Sequence, residues 1–254
     1  MALKEFDLSG KVALVTGGGR GLGEHIALAL AEAGADVALA GRNLPNLRRV
    51  ANRVQEMGRK ALAVKADVRR EREVSRMVER VQRRFGRIDI LVNNAGIIHR
   101  GPSLEVPLKT WQDVLDTNLT GPFLCMRACQ PIMARQGKGA IINLSSVAGL
   151  FGRANLASYC ATKAAIANLT RALAIEWAPY GIRVNAIAPG QFDTDMGAPL
   201  LNDKKALRAF LKTVPLRRVA NPKEIGALAV LLAADAGNYM TGTVIVIDGG
   251  VTAS

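Results

Sequence analysis

Aromatic side chains are scarce, at 4% of the 254 residues. Few rings are therefore available for stacking against single-stranded bases, and no helix reads as a groove-binding element, so nucleic-acid binding is not expected. There are three cysteines, Cys125, Cys129 and Cys160, with no CxxC pair. A chain this long buries enough apolar surface to fold without cross-links, so a disulfide-held scaffold is excluded, and reduced thiols in a cytoplasmic protein are the simplest reading. Cys125 and Cys129, one helical turn apart, read as core thiols. Two histidines leave little room for a histidine-rich metal site, and no metal is expected. Long apolar runs are also missing. The longest, 225–234, is well short of the roughly 20 residues needed to cross a bilayer. Residues 1–7 carry acids and no apolar core, so no secretory signal is expected, and neither is a membrane partner. Acids are in deficit: 21 Asp+Glu against 34 Lys+Arg give +13, which favours acidic or phosphorylated partners.

What is abundant is aliphatic. Short apolar runs at 12–16, 37–40, 61–66, 88–93, 140–144, 183–188 and 244–247 read as strands. Several lack alternation, as strands covered on both faces do. Helical periodicity separates them: Leu47, Val50, Val54 and Met57 share one face, and so do Val74, Met77, Val78, Val81 and Phe85. The alternation predicts an α/β fold, a Rossmann-type doubly wound parallel sheet of about seven strands with helices on both faces. No linker or repeat interrupts it, so residues 1–254 are read as a single dinucleotide-binding domain. Arg69, Arg70, Arg72, Arg76, Arg80, Arg83, Arg84 and Arg87 crowd one helix and its ends, read as a solvated face.

The segment after the first strand, Thr16-Gly17-Gly18-Gly19-Arg20-Gly21-Leu22-Gly23, is a glycine-rich turn opening a helix. Glycines allow a tight turn and close backbone approach to a pyrophosphate at a helix N-terminus, although a tight turn without ligand uses the same residues. The end of the second strand separates NAD from NADP. NAD sites place an acid there, on the ribose 2′-hydroxyl. Here the strand ends Ala40-Gly41-Arg42-Asn43, and Asp36 lies at the wrong end. Arg42, joined by Arg20 from the turn, suits a 2′-phosphate, so NADP(H) is the expected cofactor.

Tyr159 and Lys163 lie at i and i+4 on one helical face. A phenol near pKa 10 needs a neighbouring cation to release its proton at neutral pH, so Lys163 is expected to lower that of Tyr159. Such a pair is an acid/base unit for interconverting a ketone and an alcohol. Ser146, thirteen residues before Tyr159, ends the fifth strand and can hydrogen-bond the substrate oxygen; Ser145 beside it is the alternative.

Taken together, these motifs resemble the short-chain dehydrogenase/reductase family over essentially the whole chain. TGGGRGLG at 16–23 resembles its TGxxxGxG turn, and Asp67-Val68 its adenine-contact pair. Asn94-Ala95-Gly96, after Asn93, matches its NNAG. Asn118 stands where the family holds a relay water on its fourth helix. Ser146, Tyr159 and Lys163 match the catalytic set, and Pro189-Gly190 with Phe192 and Thr194 the segment that meets the nicotinamide. The resemblance implies hydride exchange with NADPH, proton donation by Tyr159, and Lys163 on the nicotinamide ribose. It also implies a homotetramer or dimer built on helices near 105–136 and 158–178.

Substrate contacts are expected from 97–103, 147–155 and 191–203, with a lid over about 191–213. His99 and Arg100 form a cation pair suited to a substrate carboxylate, and residues 94–100 resemble the gluconate 5-dehydrogenase branch. The alternative is a 3-oxoacyl-acyl-carrier-protein reductase, against which Gly137 and Tyr180 occupy the places where that branch docks its carrier with arginines, although Arg135 and Lys138 are close. A more remote alternative is an NADPH-binding sensor or scaffold without catalysis.

Overall fold

The computed structural model describes residues 3–253. Seven strands form one parallel sheet: β1 Val12–Thr16, β2 Asp36–Gly41, β3 Ala61–Lys65, β4 Ile90–Asn93, β5 Gly139–Leu144, β6 Ile182–Pro189 and β7 Val244–Ile247. Their order across the sheet is β3-β2-β1-β4-β5-β6-β7. The helices are α1 Gly21–Glu32, α2 Leu44–Glu56, α3 Glu71–Phe85, α4 Leu108–Leu115, α5 Gly121–Gln136, α6 Ala157–Trp177, α7 Ala198–Leu201, α8 Lys204–Lys212 and α9 Glu224–Ala233. A π-helical turn, Asp116–Thr120, joins α4 to α5.

The continuous apolar strands follow from two-sided cover. In β1, Ala13 and Val15 face one core with Ile26 and Leu30 of α1, Val50 and Val54 of α2, and Ile225 of α9. Val12 and Leu14 face the other, with Met77 and Val81 of α3, Cys129 and Met133 of α5, and Trp177 of α6. Cys125 and Cys129 are fully buried, and burial alone pushes the Cys125 thiol up to about 12. Leu173 and Trp177 are buried in the chain's own core.

Local chemistry sets the helix ends. Asn43 caps α2 by accepting from the Asn46 amide at 3.0 Å, and α3 stops at Gly86 in the left-handed region, φ +79°. Two expectations on helix faces change. Met57 follows the end of α2 and is 42% exposed, outside the apolar face. Arg69 and Arg87 are not simple solvated charges: Arg69 spans Asp67 and Asp113, and Arg87 grips buried Asp89 at 2.7 Å.

The sheet order reverses direction at β1, between β2 and β4. Open α/β sheets form their ligand crevice outside the strands' carboxyl ends at such a point. The glycine turn, Arg42, Asp67, Asn94, Ser146 and Pro189 all follow or end strands on that edge.

Candidate active site

The nucleotide side is built from the turn after β1. Gly17 and Gly21 have positive φ, +65° and +55°. A methyl group on Gly17 would lie 2.8 Å from Asn94 Nδ2, and one on Gly23 2.4 Å from the Gly17 carbonyl. These glycines therefore let the turn, α1 and the end of β4 close on one another. Asn94 fastens the joint, donating to the carbonyls of Thr16 and Gly17 at 3.0 and 3.1 Å. Thr16 completes it by accepting from the amides of Asn94 and Ala95 at 3.1 and 3.2 Å. Gly19 faces α2, where a methyl would sit tightly, 3.1 Å from Asn46 Cβ and 3.2 Å from the Leu47 amide nitrogen. Gly21 faces Thr194 across a gap, a methyl there lying 3.7 Å from Thr194 Cγ2.

Arg20, the N-cap of α1, provides no side-chain cap, so among the described residues no side chain satisfies the first-turn amides of Gly21, Leu22 and Gly23 at the cleft end of α1. That arrangement fits a pyrophosphate. Arg42 is exposed just past β2 and forms no ion pair with another described residue. Arg20, expected beside it, instead pairs with Asp195 at 3.2 Å, both side chains being largely exposed. Such a pair contributes only about 0–1 kcal/mol, so a dianionic phosphate can displace it.

Other expected nucleotide contacts are placed less openly. The Asp67 carboxylate is gripped by the Arg69 guanidinium at 2.6–3.0 Å, which lowers its pKa. Val68 is buried against Gly121. Pro189 ends β6, and Gly190 abuts Asp248 too closely for a side chain. Phe192 is buried in the core at 3% exposure, which leaves its backbone, not its ring, to face a ligand.

The candidate reacting groups converge just past β5 and at the start of α6. Ser146, Tyr159 and Lys163 are all buried. The two serines are distinguished by their partners. Ser145 donates to the Lys163 carbonyl at 2.7 Å and is committed to packing. Ser146 accepts from the Ala148 amide at 3.1 Å, and its hydroxyl acts on the Tyr159 phenol to lower its pKa. Lys163 Nζ lies 5.6 Å from the centre of the Tyr159 ring and donates to the Leu144 carbonyl at 2.6 Å. Gly149 permits close docking of the 147–149 turn on α6, since a methyl there would clash with the Lys163 backbone at 2.5 Å.

The electrostatics differ from the simple pairing. Burial raises the Tyr159 phenol, opposed by the Ser146 hydrogen bond and the Arg100 charge. The Lys163 ammonium is committed to the Leu144 carbonyl, 5.6 Å from the centre of the Tyr159 ring. Burial lowers Lys163 itself to about 8.

Asn118 lies on the π-helical turn rather than within α4. Its amide is used in both directions: Oδ1 accepts from the Ile97 amide and Nδ2 donates to the Ile97 carbonyl, each at 2.8 Å. The side chain thus holds the 97–103 segment rather than standing free for a water. A methyl on Gly96 would lie 3.3 Å from Asn118 Oδ1 and 3.8 Å from Lys163 Nζ, so these groups share one small space.

At the mouth, Arg100 donates to the Met196 carbonyl at 3.2 Å, linking the 97–103 segment to the 191–213 segment. His99 turns toward Gly101. Among the described residues no cluster of metal-ligating side chains occurs and no helix is long and apolar enough to cross a membrane.

A family model described as Enoyl-(Acyl carrier protein) reductase matches residues 17–252, covering the turn and the whole catalytic constellation. The chain belongs to the short-chain dehydrogenase/reductase family. As a member it is an oxidoreductase of alcohols and ketones. It is 41% identical over 244 residues to a cis-4-hydroxycyclohexanecarboxylate dehydrogenase of Sinomonas cyclohexanicum, covering 96% of this chain and 97% of that protein. It is also 41% identical to a 3-oxoacyl-acyl-carrier-protein reductase of Staphylococcus epidermidis, covering 95% and 98%. A gluconate 5-dehydrogenase from Burkholderia cenocepacia J2315, solved with NADP and tartrate, superposes with a TM-score of 0.96 at 36% identity, covering all of both chains.

Several residues of this dehydrogenase/reductase site had no signal in spacing alone. Thr16, Ser145, Gly149 and Asp195 act through partners distant in the chain, and Arg69 reaches Asp113 besides its neighbour Asp67. Thr16 belongs to the glycine-turn motif and Ser145 is the alternative to Ser146, but their roles in joining segments were not legible.

Proposed function

We propose that this protein uses NADP(H) to interconvert a ketone and a secondary alcohol on a small substrate bearing a carboxylate, with a keto sugar acid of the gluconate type as the best candidate. The observation that carries this reading is Arg100. Its charge reaches Tyr159 while its guanidinium is tied to Met196 at the mouth. A carboxylate held by Arg100 would place the rest of a small molecule against Ser146 and Tyr159. Two relatives described above are named for hydroxy acids, a cyclohexanecarboxylate and gluconate, which supports the same class.

Arg42 would hold the 2′-phosphate, with Arg20 exchanging Asp195 for it. The first-turn amides of α1 would receive the pyrophosphate, Thr194 closing over them from the opposite side. When bound, the nicotinamide supplies or accepts the hydride. Ser146 would orient the substrate oxygen, and Tyr159 would give it a proton in reduction and remove one in oxidation. Lys163 would leave Leu144 for the nicotinamide ribose, bringing its charge to the phenol. Asn118 would keep the 97–103 segment in register with this site and, through its backbone, serve the proton relay. The 191–213 segment, with α7 and α8, would act as the lid.

A second reading has an observation of its own. Lys204, Lys205, Arg208 and Lys212 expose one basic face of α8, suited to an acidic carrier protein, and one relative is an acyl-carrier-protein reductase. Against it, Lys138 is spent on Asp235 at 2.7 Å. Initial rates of NADPH oxidation with 5-ketogluconate and with an acetoacetyl thioester separate the two. Faster turnover of the keto acid, lost in Arg100→Ala chiefly through KM, is expected. Faster turnover of the thioester would replace the first reading by the second. Binding of NADPH without turnover of any ketone would leave only a sensor.

We also propose assembly into a homotetramer. Leu108 of α4 and Ile175 of α6, each 80% exposed, leave apolar surface on the helices expected to pair. Sedimentation velocity at micromolar concentration is expected to give the tetramer, and a monomer alone would refute it.

A further inference from the structure

Glu24 is the first residue of α1 beyond the glycine turn and is 8% exposed. Burying a carboxylate is unfavourable unless it is fully paired, and here two arginines of α2 pair it. Arg49 grips both oxygens, Nη1 to Oε1 at 2.8 Å and Nη2 to Oε2 at 2.5 Å. Arg53 Nη1 reaches Oε1 at 2.5 Å. Glu24 is accordingly held below the usual carboxylate range, first by its hydrogen bond to Arg49.

The two arginines are not equivalent. Arg49 Nη2 makes a further bond, to the backbone carbonyl of Gly19 at 3.2 Å. Gly19 lies inside the nucleotide turn, two residues before the first of the free α1 amides. It is already pressed on α2, since a methyl there would lie 3.1 Å from Asn46 Cβ and 3.2 Å from the Leu47 amide nitrogen. A planar guanidinium fixed bidentately by a buried carboxylate has little freedom left, so its remaining N–H is aimed at the turn. Arg53 makes no such bond and serves only the carboxylate.

We propose that Arg49, oriented by Glu24, is a positioning residue for nucleotide binding. It draws the Gly19 carbonyl back against α2, which keeps the amides of Gly21, Leu22 and Gly23 turned into the cleft. The inference rests on the cofactor reading above and adds to it a residue outside the turn motif. It also makes a distinction. The α1 amides would meet the pyrophosphate, which NADPH and NADH share. A positioning role therefore affects both nucleotides, whereas a direct role at the 2′-phosphate would affect NADPH alone.

Fluorescence titration of the protein with NADPH and with NADH provides the test, without turnover. Arg49→Ala is expected to weaken both by a similar factor, roughly 10-fold, the loss expected for one charge-assisted hydrogen bond. Glu24→Gln should give a similar loss, and the double variant no more than either single one, because the two act as a unit. Arg53→Ala should leave both affinities near wild type. Arg49→Lys retains a cation for Glu24 without the fork, so it should keep the wild-type Tm while still weakening both nucleotides. In steady state the loss should fall on the KM for NADPH and leave kcat within about twofold. Loss confined to NADPH would make Arg49 a phosphate ligand and overturn the positioning role. Unchanged affinity in Arg49→Ala and Arg49→Lys would overturn it too. Wild-type protein that binds neither nucleotide would overturn the cofactor reading, and this inference with it.

Discussion

Tyr159→Phe is expected to lower turnover by about 10²- to 10⁴-fold while leaving NADPH affinity near wild type. The substitution removes only the hydroxyl. The ring is 9% exposed and packed against the end of β5, so the fold should tolerate it. The loss corresponds to about 3–5 kcal/mol of transition-state stabilisation. Initial rates together with NADPH titration separate chemistry from binding, and a variant that retains turnover would remove Tyr159 as the proton donor. The direction of the reaction should show in the pH profile. Burial raises the phenol, so the protonated form needed for reduction persists through neutral pH, while the phenolate needed for oxidation forms only as the solution becomes alkaline. Oxidation should therefore accelerate with rising pH. Lys163, lowered by burial to about 8, loses its charge as pH rises through that value, and reduction should decline there. A reduction rate that does not change through pH 8 would show that the Lys163 charge is not required.

Arg42→Asp is expected to weaken NADPH binding by two orders of magnitude or so and to move preference toward NADH. A charged hydrogen bond contributes about 1.5–3 kcal/mol, and the new carboxylate adds repulsion toward the 2′-phosphate while offering an acceptor to a ribose hydroxyl. Arg42 is exposed and has no ion-pair partner to leave behind among the described residues, so stability should hardly change. Its charge does act on Asp67, whose carboxylate stays gripped by Arg69. Parallel titrations with NADPH and NADH measure the shift. An unchanged ratio would mean that Arg42 does not read the phosphate, leaving Arg20 as the candidate once it has left Asp195.

Arg42 and Arg20 also illustrate how far a sequence can be read. Both are arginines near the turn, and both were expected on one phosphate. Only Arg42 is without an ion pair among the described residues, and its position just past β2 is the one that strand periodicity locates. The partner of Arg20 is 175 residues away on the segment after β6, a separation that no local pattern encodes. The same holds for Asn118. Its type and place in the chain were legible, but the use of its amide on Ile97 depends on a π-helical turn that periodicity does not reveal. The placement of Lys163 beside Tyr159 shows the same limit. Spacing puts both on one helical face, but the carbonyl of Leu144 captures the ammonium.

The sequence by itself determined the parallel sheet and its two-sided cover, the glycine turn opening α1, the missing acid at the end of β2, and the candidate pair Tyr159 and Lys163 with a serine just past β5. All of these are local: they depend on the order of apolar runs, on residues that tolerate a tight turn, or on spacing along one helix. Only the tertiary structure distinguished Ser145 from Ser146 by their partners, tied Arg20 to Asp195, linked Arg100 to the Met196 carbonyl, and set Arg49 on the Gly19 carbonyl. Each of those depends on a hydrogen bond or a field between segments distant in the chain. Both vary steeply with distance and angle, and those are fixed only when the helices dock on the sheet.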